Sequence, residues 1–86
     1  MKKVLLLIGK GPDQTSGELS AVQSSSEKDV SVVLVQEGVR HRSVPASHVF
    51  VLSEDAAVRQ VISPFPSISY PDMLRMMFEF DAVMVL

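Results

Sequence analysis

Apolar residues fall along the chain in short runs separated by polar, turn-rich stretches, and the runs differ in kind. Val4 to Ile8 is continuous rather than alternating, which is how a strand covered on both faces reads, so a buried interior strand is expected there. Gly9 to Gln14 is a turn-rich loop. Thr15 and Glu18 have capping-box spacing and open a short helix with Leu19, Ala21 and Val22 on its buried side. A polar loop, Ser24 to Asp29, precedes a second β-branched run from Val30 to Val35. Gln36 to Val39 ends that strand, and Arg40 to Ser47 forms a polar connection broken by Pro45, with room for one helical turn.

His48 to Leu52 reads as the third strand. Ser53 is placed to cap the next helix, with Glu54 and Asp55 in its first turn and Ala56, Ala57, Val58 and Val61 on its apolar side. Ser63 to Ser67 is a loop stiffened by Pro64 and Pro66. Ser69 then caps a helix that starts with Tyr70, Pro71 and Asp72 and runs through about Phe78. Asp81 to Leu86 is the last strand. Short strands alternating with crossovers too long for hairpins predict parallel pairing. The expected fold is an α/β class three-layer α/β/α sandwich over residues 1–86, with a mostly parallel sheet of about four strands in the order 2-1-3-4.

Composition narrows the function. Eighty-six residues build a single small domain that buries about 60 to 65% of its unfolded surface, which favours an oligomer. A net charge of −2 supplies no global field for nucleic acid or an anionic membrane, and no apolar run approaches the about eighteen residues of a membrane span. Lys2 and Lys3 before Val4 to Ile8 imitate a secretion signal, but the run stops at Gly9 and no small-residue cleavage site follows, so a cytoplasmic home is expected. The chain has no cysteine, hence no thiolate to bind zinc, form a disulfide or carry sulfur.

The candidate chemistry is sparse. Gly9-Lys10-Gly11 lacks the further glycine of a dinucleotide turn and the Gly-Lys-Ser/Thr of a P-loop. Arg40, His41 and Arg42 follow the second strand at the edge where parallel sheets bind ligands, and two guanidinium groups there could hold a phosphate, sulfate or carboxylate. The ordinary alternative is a solvated loop. Two histidines, His41 and His48, supply too few ligands for a metal, and no serine is paired with either, so no metal site and no cofactor is expected. Glu54 and Asp55 project about 100° apart on a helix and cannot face each other as an acid and base pair. The stretch from Tyr70 to Phe80 is apolar nearly all round, and Tyr70, Met73, Met76, Met77 and Phe80 are the candidate oligomer interface.

Three blocks, Val33 to Val39, Val49 to Asp55 and Ile68 to Arg75, resemble in order and spacing those of the DsrH/TusB family of small α/β proteins. The resemblance implies a part in moving persulfide sulfur, toward 2-thiolation of the tRNA wobble uridine or within sulfur oxidation. It implies assembly as a homo-oligomer or with DsrE/TusD-like and DsrF/TusC-like proteins. In such relays the sulfur rides on a low-pKa cysteine thiolate of a partner. A chain without cysteine is then expected to be a non-catalytic subunit, with Gln36, Glu37, Gly38, Arg40, His41 and Arg42 as candidate ligand or partner contacts. The competing expectation is a homodimeric module that binds a small anion or a nucleotide through Arg40, His41 and Arg42.

Overall fold

A computed structural model describes residues 3–12, 29–44, 46 and 48–86. The expected helix from Thr15 and the serine loop after it lie outside the described residues.

The strands are β1 (Lys3–Ile8), β2 (Asp29–Leu34), β3 (His48–Leu52), β4 (Ser67–Ile68) and β5 (Ala82–Val85). A 3-10 helix (Gln36–Arg40) follows β2, helix α1 (Ser53–Val58) follows β3, and helix α2 (Tyr70–Glu79) follows β4. Among the described residues all strand pairs are parallel and form one five-stranded sheet in the order β4-β3-β2-β1-β5.

Two expectations change. The sheet has a fifth strand, β4, whose two residues are too few to show any periodicity in the sequence. The order 2-1-3-4 is also wrong, since β2 lies between β1 and β3. Through β4 each strand lies next to the one before it in the chain, and the order reverses once, when α2 carries the chain across the sheet to the free side of β1.

Both faces of the sheet are covered by apolar side chains, as the unbroken apolar run of β1 and the β-branched run of β2 require. On one face Leu6, Ile8, Val32, Leu34, Val49 and Val51 pack with Val39 of the 3-10 helix and Ala56 of α1. On the other, Leu5, Leu7, Val33 and Leu52 pack with Met73 of α2, with Met76, Met77 and Phe80 beside them. The parallel register pairs Leu6 with Val32 and Val32 with Val49, so each layer is continuous across the three strands.

Ser69 caps α2 as its sequence position predicts, accepting from the Asp72 N–H at 3.3 Å, with Pro71 in the first turn. Ser53 does not cap α1. The residue before that helix is Leu52, and the Ser53 hydroxyl donates to Glu54 instead. Helix α1 is correspondingly short, ending at Val58 with Arg59 as its C-cap, and the next residue, Gln60, has a φ of 55°, the left-handed conformation that commonly closes helices. The one turn expected within the connection after β2 forms earlier, directly on Gln36 to Arg40.

Candidate functional site at the carboxyl edge

Because every strand points the same way, the loops after β1, β2, β3 and β4 gather at one edge of the sheet, where open parallel sheets bind ligands. Each of the three sequence blocks reaches that edge, at Gln36-Glu37-Gly38, Ser53-Glu54-Asp55 and Ser69-Tyr70.

The adjacent acids of α1 tie these loops together. Asp55 Oδ2 accepts from the Gln36 N–H at 2.7 Å, at the start of the 3-10 helix. Glu54 Oε2 accepts from the Tyr70 N–H at 3.0 Å, at the start of α2, while Glu54 Oε1 accepts from the Ser53 hydroxyl at 2.7 Å. Each carboxylate therefore meets the positive end of a neighbouring element. The Ser53 hydroxyl and then the Tyr70 N–H hold the Glu54 carboxyl below the ordinary glutamate value. At β3 and β4 the following helices pack on opposite faces, which opens the crevice where a parallel sheet takes an anion. Here the chain's own Glu54 occupies that position.

Beside this lacing lies an ion cluster centred on Glu37. Its Oε1 accepts from Arg40 Nε at 3.0 Å, and its Oε2 accepts from Arg59 Nε. The two guanidinium groups, Arg59 first, hold the Glu37 carboxyl below its ordinary value. Arg40 is thus not a free cation. His41 is also not a surface contact, which corrects the expectation for it. It is 2% exposed, and its Nε2–H donates to the Lys10 carbonyl at 3.0 Å, fastening the loop after the 3-10 helix to the loop after β1. Arg42 is exposed and has no ion pair among the described residues. The expected pair of free arginines is not present, because Arg40 lies one turn after Glu37 and is neutralised by it.

Gln36 and Glu37 are exposed, whereas Gly38 is buried with its backbone against Ile8. Gln36 has a φ of 50°, a left-handed conformation uncommon for a residue with a side chain, and the bond from its N–H to Asp55 holds it there. Arg59, which completes the Glu37 cluster, gave no signal in the sequence: it is 22 positions away, and only the fold brings it near.

Of the five candidate interface residues, Met73 is buried in the chain's own core and Met76, Met77 and Phe80 pack against it. Only Tyr70 faces outward, at 49% exposure, joined by Leu74 and Phe78 on the same side of α2. Away from this edge, a pocket of about 320 Å³ lies between Val44, Val49, Phe65 and Pro66, with His48 contributing a polar wall. Its apolar lining offers no nucleophile. Among the described residues no cluster of His, Asp and Glu could hold a metal, and no helix is long and apolar enough to cross a membrane.

The lacing makes a pH prediction. Glu37 and Glu54 both have lowered folded pKa values, so their stabilisation is complete above the ordinary glutamate value of 4.5 and is lost as the pH falls through the lower folded values. The double variant Glu37→Gln, Glu54→Gln is expected to lose the part of the acid-induced fall in thermal midpoint that lies below pH 4.5. An unchanged acid slope in that variant would rule these two groups out as its source. No protein-family model matches the chain, and no curated protein matches it.

Proposed function

We propose that the chain is a non-catalytic, DsrH/TusB-like subunit of a sulfur-relay assembly, a three-layer α/β/α domain that works in the cytoplasm. The observation that carries the reading is that the three blocks behind the resemblance converge on one edge and are hydrogen-bonded to one another there. Apart from Arg42, the charged groups of the loops after β2 and β3 that could recognise a small substrate at that edge are already engaged within the chain. Glu54 fills the anion position at the start of α2, Asp55 that of the 3-10 helix, and Glu37 holds Arg40 and Arg59. An edge so satisfied suits a fixed docking surface more than a site that must take up and release ligand.

Without cysteine the chain cannot accept a sulfane sulfur, because transfer needs a thiolate that attacks the outer sulfur and becomes the new persulfide. The partner supplies that thiolate, and this chain contributes a surface. Exposed Gln36 and Arg42 are the groups available there for polar contacts with a partner, and Glu37 sets the charge of that surface by holding Arg40 and Arg59.

The test is affinity purification of the tagged chain from its native cells, followed by mass spectrometry. Cysteine-bearing DsrE/TusD-like and DsrF/TusC-like proteins are expected to co-purify, and Glu37→Arg is expected to reduce their recovery severalfold. Recovery of no thiol-bearing partner overturns the proposal. Retention of a phosphate or nucleotide that disappears in Arg40→Ala, Arg42→Ala would favour the anion-binding module instead.

A further inference from the structure

We propose that a second copy of this chain docks on the free edge of β5 and the adjoining flank of α2, making a two-fold dimer with a continuous ten-stranded sheet. The inference stands on surfaces distant from the carboxyl-edge lacing and does not depend on the sulfur-relay reading.

The first observation is a strand edge left unpaired among the described residues. Leu86 donates its N–H to Leu7 at 2.8 Å and accepts from the Gly9 N–H at 3.0 Å, so both its backbone groups face β1. Backbone direction alternates along a strand, which turns the N–H and C=O of Val83 and Val85 outward, away from β1. β5 ends the strand order on that side. Edges of this kind are usually protected by a charge, a proline or a bulge, and Ala82 to Leu86 contains no charged residue and no proline. Val85, 73% exposed, and Met84, 53% exposed, present apolar surface on opposite faces of the edge.

The second observation is on α2. Met73, Met76, Met77 and Phe80 face the sheet, and the helix winds by about 100° per residue. Tyr70, Leu74 and Phe78 then form a row about a quarter turn away. α2 begins after β4 at one edge and delivers the chain to β5 at the other, and in a right-handed crossover of that direction the row turns toward β5. Phe78 is 90% exposed, an unusual position for a phenylalanine without a partner.

These two features fit a copy of themselves. A two-fold axis normal to the sheet beside β5 pairs the strand antiparallel with its mate, satisfying the outward groups of Val83 and Val85 in both chains. The same axis keeps both α2 helices on one face, with their apolar rows turned toward each other. Phe78 alone contributes most of the about 150–250 Å² of an aromatic side chain. With Tyr70, Leu74, Met84, Val85 and the edge backbone, the surface is on the order of the about 800 Å² per partner that a stable interface buries.

Light scattering on the purified full-length chain at tens of micromolar is expected to give twice the 9.4 kDa chain mass. Amide exchange is expected to show protection of the Val83 and Val85 N–H groups, which point to open water in a monomer. Val85→Lys and Phe78→Glu, each made singly, are expected to weaken association at least tenfold, with the circular dichroism of the fold retained. A monomer at that concentration overturns the proposal, and so does a dimer whose Val83 and Val85 amides exchange freely. The exchange measurement needs no variant and decides the matter even where a substitution prevents folding. A monomer that still recovers thiol-bearing partners overturns the dimer alone, and a dimer that recovers none overturns the relay reading alone.

Discussion

Replacing Gly38 by alanine is expected to destabilise the fold by about 3 kcal/mol or more, the upper end of what an overpacked position costs. A Cβ added there would lie 1.9 Å from the Ile8 carbonyl oxygen and 2.8 Å from its carbon. Those atoms are backbone and cannot swing away. The same oxygen accepts the Val35 N–H at 2.9 Å, so relieving the clash by separating the 3-10 helix from β1 strains the bond that ends the β1–β2 pairing. The neighbouring edge would follow, since Gln36 and Glu37 reach Asp55, Arg40 and Arg59 only while the 3-10 helix lies against β1. Gly9→Ala is the matched control. Its nearest neighbour would be Gln36 Oε1 at 3.1 Å, the end of a flexible side chain, and a cost under about 1 kcal/mol is expected. Urea unfolding followed by circular dichroism measures both. Equal and small losses would show that the chain does not pass as close to Ile8 as described.

Met73→Ala is expected to cost about 2–5 kcal/mol, as for other large-to-small changes in a core. Met73 is 6% exposed and packs against Leu5, Leu7, Val33 and Leu52, making it the residue of α2 most enclosed by the sheet. Its loss leaves a cavity in the middle of that layer, and the stability of so small a domain, several kcal/mol, leaves little margin. The loss belongs to the single chain. The shift in thermal midpoint should therefore not depend on protein concentration, whereas that of Phe78→Ala should, because in the proposed dimer the exposed Phe78 meets a partner copy and mass action governs its effect. A Met73→Ala shift that vanishes on dilution would return Met73 to the oligomer interface.

These two positions show how differently the chain reveals itself. The continuous apolar run of β1 and the β-branched run of β2 are legible without a structure, because a strand covered on both faces has little polar side to alternate with. The Ser69 cap is legible because it acts within three residues of itself. The composition of α2 signals that its apolar side chains exceed one buried face, but not which of them enter the core. That division depends on the angle at which the helix meets the sheet, and it sends Met73, Met76 and Met77 inward and leaves Phe78 at 90% exposure.

The candidate site divides along the same line. Local sequence determined β1, β2, β3, β5, α1 and α2 and the parallel direction of the strands, the absence of a thiol, and the collection of three blocks at strand ends, because each follows from residue type or from spacing along the chain. Tertiary structure alone decided the strand order and the fifth strand, the burial of His41, the pairing of Glu37 with Arg59, and the use of Glu54 and Asp55 to hold Tyr70 and Gln36. Those partners are 16 to 22 positions apart in the ion pair and hydrogen bonds, and 31 in the bond from His41 to Lys10. A side chain's charge is written in the sequence, but whether it is free or already satisfied depends on which distant backbone the fold lays beside it.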